Sequence, residues 1–306
     1  MTKFWDEYFI PTTIDEALEL LARYDGRARV VAGGTDLFLD FKADRSEGGH
    51  PHYLALIDVT RIAGANTIYT HDCWIILGCS VTHTQIIAPS LIREHAAAFT
   101  QASGVVAGAQ VRNVGTVVGN IAHALPAADS AIALAVLGAE VQVRSNQPAV
   151  NDDQWRPIAS VYLGPGKSGV DSTRELIAAI RLRPTGAFEG SAFARVMRPQ
   201  GIALPILGMA AKLKVKRQKA KIEIEEAKIS AGPVAPVLFR ATQTEDYLRG
   251  KAWSDEVLAQ ATQVLLAETR PRTSAHRATK EYRLDLLPTM LHDVMTRAAN
   301  QAKDAQ

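Results

Sequence analysis

Two short strings in this chain combine small residues with apolar strand formers, and each closes on a polar side chain. The first is Arg29-Val30-Val31-Ala32-Gly33-Gly34-Thr35-Asp36, and the second is Val114-Gly115-Thr116-Val117-Val118-Gly119-Asn120. Small residues let backbone N–H groups approach a ligand closely, and glycine can adopt a positive φ. Successive N–H groups in such turns form concave sites that suit a phosphate. Two such turns in one chain could therefore hold both halves of a pyrophosphate.

Either string alone is also typical of an ordinary tight turn after a strand. The first lacks the Gly-x-Gly-x-x-Gly pattern that opens a helix in dinucleotide-binding folds. It is not followed by the Gly-Lys-Ser/Thr of a phosphate-binding P-loop, and the segment Gly164-Pro165-Gly166-Lys167-Ser168 lacks the leading glycine of that motif. The context of the two strings must therefore decide whether they bind a ligand.

The patterns around the first string predict the elements that position it. Thr13 is expected to cap a helix over residues 14–23, where apolar side chains recur at helical spacing. Residues 29–31 predict a short strand that enters the turn, and residues 37–42 predict a helix that leaves it. Residues 54–59 predict a buried strand. This order of strand, turn, helix and strand predicts a small parallel α/β layer.

The rest of the chain is predicted in two parts, joined by a linker at residues 184–187. The first part contains a hairpin, an apolar helix and two strands, at residues 67–78, 130–137, 139–144 and 175–182. The second contains three antiparallel strands and three helices over one face, at residues 191–196, 207–215, 221–230, 244–248, 255–269 and 279–297. The polar residues after Asn300 are expected to fray.

Composition narrows the function classes. The chain has 306 residues, 47% hydrophobic and 22% charged, which is ordinary for a globular protein of two or three units. The net charge of +2 gives no argument for nucleic acid. Basic residues from Lys212 to Lys221 alternate with apolar ones, which favours a solvated strand face over a nucleic-acid or partner patch.

Metal chemistry and membrane insertion are not expected. Two cysteines, Cys73 and Cys79, cannot complete a four-thiolate iron–sulfur site, and the histidines show no ligand pair at helical spacing. No segment reaches the roughly 18 apolar residues that a membrane helix needs. Residues 1–7 lack an apolar signal core. The expected location is cytoplasmic.

Further motifs place the two strings in a context. In order along the chain they are residues 11–18, 32–37, 77–83, 110–116, 119–129, 193–195 and 231–236. Together they resemble the FAD-binding (medium) subunit of the molybdenum hydroxylase, or molybdopterin dehydrogenase, family. That family includes the medium subunit of carbon monoxide dehydrogenase and the flavin domain of xanthine dehydrogenase. The resemblance runs from about Phe9 to about Asp293.

The resemblance implies an α+β architecture. Two subdomains of a PCMH-type (vanillyl-alcohol-oxidase-like) FAD-binding fold, at residues 1–60 and 61–185, are expected to hold the flavin between them. Residues 186–293 are expected to form an antiparallel sheet backed by helices, followed by a tail at residues 294–306. FAD is expected to be bound non-covalently, because neither glycine-containing string offers a His, Cys or Tyr for attachment, although His123 lies near one.

The resemblance also assigns residues to the cofactor. The thirteen candidates are Val30, Val31, Ala32, Gly33, Gly34, Thr35, Asp36, Thr116, Gly119, Asn120, Asp129, Leu176 and Ile177. The turn 32–35 would supply N–H groups to the pyrophosphate, with the Thr35 hydroxyl as an added donor. Asp36 is expected to cap the next helix and organise the loop, since a carboxylate beside a diphosphate is unfavourable; a hydrogen bond to the cofactor is its alternative role.

The downstream candidates each have a structural alternative. Asp129 would contact the ribose or ring side of the flavin, or cap the helix that follows it. Leu176 and Ile177 would pack on the flavin ring, or simply form a core strand. Val118 replaces the first glycine of the family's usual second motif, although a β-branched residue disfavours positive φ.

Two further positions bear on the electron acceptor. Ile202 and Leu204 stand where some relatives have a ring-covering aromatic residue and a lysine. Both are aliphatic in this chain. The acceptor is therefore open.

The resemblance implies partners. A large subunit would carry molybdopterin and a small subunit two 2Fe–2S clusters, in a heterotrimer that could pair into a dimer of heterotrimers. This chain would pass electrons between those clusters and an external acceptor, which could be NAD, oxygen, ferredoxin or a quinone. A flavin couples one-electron and two-electron carriers. The alternative is a non-redox nucleotide- or flavin-binding regulator or assembly factor of the same fold.

Overall fold

A small parallel sheet opens the chain. The structure is a computed structural model that describes residues 3–47, 52–146, 154–198, 204–218 and 221–304. The first elements are β1 (Trp5–Phe9), α1 (Ile14–Tyr24), β2 (Ala28–Val31), α2 (Leu37–Glu47) and β3 (Tyr53–Asp58). The strands are parallel in the order β1-β3-β2. Thr13 caps α1 by accepting from the Glu16 N–H, as predicted.

A five-stranded antiparallel sheet and a group of short helices follow. The elements are β4 (Ile68–His71), β5 (Trp74–Gly78), α3 (His83–Ile87), α4 (Ser90–His95), α5 (Ala97–Gly104), α6 (Ala109–Val114), α7 (Val117–Ala122), α8 (Asp129–Val136), β6 (Glu140–Ser145), β7 (Trp155–Pro157), β8 (Tyr162–Gly164), β9 (Lys167–Ser168) and β10 (Glu175–Leu182). The sheet order is β4-β5-β10-β6-β7, and β8 pairs with β9 as a separate hairpin. The predicted hairpin, apolar helix and strands are confirmed.

The last part is an antiparallel sheet with helices. Its elements are β11 (Glu189–Met197), β12 (Pro205–Gln218), β13 (Lys221–Gly232), β14 (Phe239–Arg240), α9 (Thr242–Leu248), α10 (Asp255–Glu268) and α11 (Lys280–Asp304). The strands pair in chain order. Helices α9 and α11 pack on this sheet with α10 beside them, as predicted, and α5 and α8 also pack against its strands.

Two main hydrophobic cores hold these parts together. One core joins α1 and the parallel sheet to the five-stranded sheet and to α5, α7 and α8. Phe193 and Ala210, from the C-terminal sheet, also belong to it. The other core lies between that sheet and helices α9, α10 and α11. The first two parts therefore fold around shared apolar side chains rather than around a core each.

The prediction that the chain ends in a separate, frayed tail is wrong for residues 294–304, which are helical. Helix α11 continues through residue 293 to Asp304, and Ala298, Ala299 and Ala302 are buried. The Gln301 side chain accepts a hydrogen bond from the Ser191 N–H at 3.1 Å. The alanines form a narrow strip that fits against β11, a pattern hidden by the polar residues between them. Packing, not polarity, therefore decides the order of this segment.

The basic strand is only partly solvated. Lys214 and Lys216 are exposed and pair across the ladder with Glu225 and Glu223, at 2.7 and 2.8 Å. Lys212 is buried and pairs with Glu189 at 3.0 Å, so the expectation of a wholly solvated face is wrong there. Because these lysines face carboxylates, the strand offers no run of unpaired cations over 212–216.

Candidate functional site

All thirteen residues assigned from the sequence line a single cleft. Its volume is about 350 Å3, and it lies between the parallel sheet, the short helices and β10. The lining includes Val30 and Val31 at the end of β2, the turn 32–36, and the start of α7. The structure thus brings together residues from four distant stretches of sequence. Their contact with a flavin stays a prediction.

The first turn leaves its backbone donors available. Among the described residues, the N–H groups of Ala32, Gly33, Gly34 and Thr35 donate to no protein acceptor. Gly34 has a φ of +67°, which favours glycine. Backbone N–H groups rarely remain unpaired unless water or a ligand reaches them. The turn therefore presents four consecutive donors at the cleft.

Asp36 organises the helix start through its backbone. Its carbonyl oxygen accepts from the N–H groups of Leu39 and Asp40, both at 2.9 Å. A side-chain cap, the role expected from the sequence, is not seen in the described part of the chain. Asp36 lines the cleft, and its contact with a cofactor stays a prediction.

The second turn packs directly on the first. A Cβ on Gly33 would lie 2.1 Å from the Val114 carbonyl oxygen and 2.9 Å from Gly115 Cα. The Gly115 carbonyl accepts from the His83 N–H at 3.1 Å, and the Val117 N–H donates to the Val81 carbonyl at 2.9 Å. These contacts fix the second turn against α3. Glycine at position 33 is required because the two backbones touch.

Thr116 caps helix α7 at the cleft. Its hydroxyl accepts from the Gly119 N–H at 3.0 Å. Val118 lies within α7 with no positive φ and is 8% exposed. The motif position that is usually glycine therefore needs no positive φ in this chain. The Asn120 side-chain oxygen is buried and has no protein partner in the described ranges.

Asp129 belongs to a buried ion pair. It is the first residue of α8, and Ala128 occupies the cap position, so the capping alternative for Asp129 is wrong. Its Oδ2 lies 2.6 Å from the Arg195 guanidinium, and both side chains are 5% exposed. Burial raises the pKa of the Asp129 carboxyl to about 6, against the opposing effect of Arg195 and Arg277.

Leu176 and Ile177 serve two roles at once. Both are buried on β10 and belong to the core shared by the first two sheets. Both also line the cleft. The structural alternative, a core strand, is therefore correct without excluding contact with a ligand ring.

Sequence reasoning assigned no cofactor role to several charged or titratable cleft residues, among them His83, Arg195 and Arg277. Arg195 was visible as the end of the motif at residues 193–195, without an assigned role. His83 ended the motif at residues 77–83. Arg277 lies in an irregular segment before α11 and had no signal. Leu204 also lines the cleft, whereas Ile202 lies outside the described residues.

Two titratable groups of the cleft, Cys79 and His83, are poorly suited to proton transfer at neutral pH. Burial raises the pKa of the Cys79 thiol to about 11 and lowers the pKa of His83 to about 4. Both cysteines are free thiols, Cys73 exposed and Cys79 buried. Within the part of the chain that the structure describes, no three His, Cys, Asp or Glu residues are grouped to hold a metal ion. No helix there is long and apolar enough to cross a membrane.

Two family models match the chain. Residues 2–185 match the FAD-binding domain in molybdopterin dehydrogenase, and residues 191–298 match the C-terminal domain of the CO dehydrogenase flavoprotein. The boundary between the two matches falls close to the predicted linker at residues 184–187. Together they cover nearly the whole described chain.

Curated relatives match over similar lengths. The chain is 27% identical to the xanthine dehydrogenase FAD-binding subunit of Escherichia coli O157:H7 over 300 residues, covering 96% of each chain. It is 25% identical to the carbon monoxide dehydrogenase medium chain of Hydrogenophaga pseudoflava over 265 residues, covering 87% of each.

Solved structures share the fold. Carbon monoxide dehydrogenase from Hydrogenophaga pseudoflava matches with a TM-score of 0.85 at 23% identity, over 98% of this chain and 99% of that one. Quinoline 2-oxidoreductase from Pseudomonas putida 86 matches with a TM-score of 0.84 at 23% identity, over 99% of each. The predicted α+β architecture is confirmed.

Proposed function

This chain belongs to the family defined by the FAD-binding domain of molybdopterin dehydrogenases, and we propose that it is the electron-transfer subunit of a multi-subunit molybdenum hydroxylase. It would bind FAD non-covalently and pass electrons between the 2Fe–2S clusters of a small subunit and an external acceptor. A large subunit would carry molybdopterin and the substrate chemistry. The flavin, when bound, supplies the coupling of one-electron to two-electron transfer.

The four unpaired N–H groups of the turn 32–35 carry the proposal. A diphosphate offers the acceptors that these donors need, and a concave run of N–H groups suits an anion. Gly33 lets the second turn, with Gly115, close to backbone contact. The two turns together form a cradle of backbone atoms, and the residues of this cradle suit the diphosphate of a dinucleotide.

The remaining lining fits the rest of the cofactor. Leu176 and Ile177 are buried apolar residues of β10 at the cleft, and their backbone and packing would hold a planar ring and exclude water from it. Asp129 and Arg195 form a charged pair fixed at 2.6 Å, so they would meet a ligand without reorganising. The residues of the chain therefore bind and orient the cofactor.

Three departures from the family pattern, Val118, Ile202 and Leu204, are the features that favour the alternative, a non-redox regulator or assembly factor. Since Val118 sits in helix α7 and needs no positive φ, it no longer argues against flavin binding. The aliphatic Leu204 at the cleft leaves the choice among NAD, oxygen, ferredoxin and a quinone open. The cytoplasmic location also stays a prediction, which subcellular fractionation checks.

The test is cofactor content and electron transfer with partners. The purified chain should show flavin absorption at about 370 and 450 nm. Acid precipitation should release the yellow colour into the supernatant if the flavin is not covalently bound. When the chain is co-expressed with its genomic neighbours, a molybdopterin subunit and a 2Fe–2S subunit should co-purify with it.

The catalytic division of labour is tested separately. The isolated chain should lack hydroxylase activity, and substrate-driven reduction of its flavin should appear only with the 2Fe–2S partner present. A chain that binds no FAD after reconstitution would overturn the cofactor assignment. Hydroxylation of an aromatic or purine substrate by the chain alone would overturn the subunit role.

A further inference from the structure

His83 lies where the two turns meet. It is the first residue of α3, and its backbone N–H donates to the Gly115 carbonyl at 3.1 Å. A Cβ on Gly115 would lie 3.5 Å from Thr35 Oγ1 and 3.8 Å from His83 Cδ2. The Thr35 hydroxyl and one edge of the imidazole therefore flank the same backbone position. His83 is also one of the residues that line the cleft.

The two ring nitrogens of His83 have different surroundings. Nδ1 lies 3.3 Å from Ser130 Oγ, near the start of α8. Nε2 is bonded to Cδ2, so it belongs to the ring edge that faces Gly115. Nε2 makes no hydrogen bond within the described residues. The residue as a whole is 2% exposed, and Nε2 is not among the fully buried side-chain atoms without a partner, so the small exposed part of the residue includes this nitrogen.

The electrostatic surroundings keep the ring neutral. Burial, with a smaller effect from Arg112 on α6, lowers the pKa of His83 to about 4. In a neutral imidazole one nitrogen is a donor and the other an acceptor. The Arg112 guanidinium is itself held by the Val106 and Ala107 carbonyls, at 2.9 and 2.8 Å. The region is thus electropositive without a charge on the histidine.

We propose that His83 is a binding residue for the diphosphate of the cofactor, with its tautomer set by Ser130. The Ser130 hydroxyl donates to Nδ1, which leaves the proton on Nε2. The Nε2–H then donates to an oxygen of the anion held between the two turns. This inference rests on the proposed function and adds a side-chain donor to a cradle otherwise made of backbone groups and the Thr35 hydroxyl.

The first experiment measures FAD binding to the apo form of the full chain. His83→Phe removes the donor and keeps a flat ring, and it should weaken FAD binding about 10- to 100-fold, as expected for a lost hydrogen bond to a charged group. His83→Gln places an amide N–H near the position of Nε2 and should restore most of the affinity. Inorganic pyrophosphate should compete with FAD in the wild type and compete much less well in His83→Phe.

The second experiment reads the tautomer. Nitrogen-15 NMR of the histidine ring should show the proton on Nε2 in the wild type. Ser130→Ala should shift the ring toward a mixture of tautomers and weaken FAD binding by less than His83→Phe does. Ser103→Ala is the matched control, because Ser103 is equally buried and its hydroxyl has no hydrogen-bond partner among the residues that the structure describes.

The outcomes separate the two proposals. A wild type that takes up no FAD defeats the proposed function. A wild type that binds FAD while a folded His83→Phe binds it equally well defeats the role of His83. If His83→Phe does not fold, a proton found on Nδ1, or a Ser130→Ala variant with unchanged affinity, defeats it instead.

Discussion

Two regions of the cleft lining are built from different chemical groups. The turn at residues 32–35 presents backbone N–H groups, and at Gly33 it touches the second glycine turn, residues 115–119, most of whose N–H groups donate within the protein. The charged group, Asp129, Arg195 and Arg277, comes from helix α8, strand β11 and the irregular segment before α11, which lie far apart in sequence. The turns are local in sequence, whereas the charged group exists only after the C-terminal sheet has packed against α8.

This difference shows what fixes the geometry of each region. In the turns, the geometry is fixed by the close approach of two backbones, because one Cβ at Gly33 would clash with backbone. In the charged group, the geometry is fixed by a strong ion pair in low-dielectric surroundings, where an unpaired charge is costly. We therefore expect substitutions to damage the two regions through different mechanisms.

The largest effect is expected in the charged group. Arg195→Met leaves the Asp129 carboxylate buried without its direct partner, and it should lower the free energy of unfolding by about 3–5 kcal/mol. Denaturant titration at pH 7 measures it. The double variant Asp129→Leu/Arg195→Met should recover most of the loss, because no unpaired charge remains.

The control for that cycle is an exposed pair. Lys214→Met breaks the contact with Glu225, where both side chains are solvated, and the denaturation midpoint should not move. Equal losses in the Arg195→Met single variant and in the double variant would mean that packing, rather than the unpaired carboxylate, causes the instability.

In the glycine turns, Gly33→Ala should cost about 3 kcal/mol, because the new Cβ meets the Val114 carbonyl and the backbone must move. Thermal unfolding, together with FAD binding, measures both consequences. Gly104→Ala is the matched control, since no described residue outside its own stretch of helix has an atom within 4 Å of its Cβ position. Should Gly33→Ala match the control in both assays, the two turns would not be in hard contact.

The contributions of Asp129 and His83 to the free energy of unfolding should change in opposite directions as pH rises. Burial raises the pKa of Asp129 from 3.8 to about 6, so its contribution to stability is full at low pH and is lost as pH rises through that range. Burial lowers the pKa of His83 from 6.5 to about 4, so its contribution is full above 6.5 and is lost as pH falls toward 4. Each of these two contributions to the free energy of unfolding is on the order of 2–3 kcal/mol.

Single variants separate the two contributions. In Asp129→Asn, stability should rise more steeply with pH between about 4 and 6.5 than in the wild type, because only the histidine contribution remains. In His83→Gln, stability should fall over the same range. Denaturation midpoints at half-unit pH intervals measure both slopes, and parallel profiles in all three proteins would contradict the assignment.

The smallest effect is expected at Val118. Val118→Gly restores the usual family residue, yet it should cost about 1 kcal/mol, because glycine weakens helix α7. FAD affinity should stay unchanged, since no positive φ is needed there. Tighter FAD binding in Val118→Gly would show that the valine side chain obstructs the cofactor.

The sequence predicted the glycine side of the site well because its signal is local. Small residues after an apolar strand stay together in any fold that keeps the strand, and the elements on both sides followed from helical and alternating patterns. Thr13 was found as a cap for the same reason.

The charged side could not be predicted because it is non-local. The partner of Asp129 is on a strand 66 residues away, and nothing in the spacing marks it. Arg277 lies in a segment without periodicity. The order of residues 294–304 was missed for a related reason: alanines separated by polar residues read as a polar tail, and only the close approach of Gly190 to α11 shows how they pack.

The placement of helices α5 and α8 has a consequence for cooperativity. They belong to the core of the first two sheets and also pack against the C-terminal sheet. Cutting the chain at residues 184–187 would thus expose to water, on each fragment, the apolar surface that the other fragment now covers. Amide hydrogen exchange should protect α8 and β12 to the same extent, as one cooperative unit, even though two family models divide the chain at that linker.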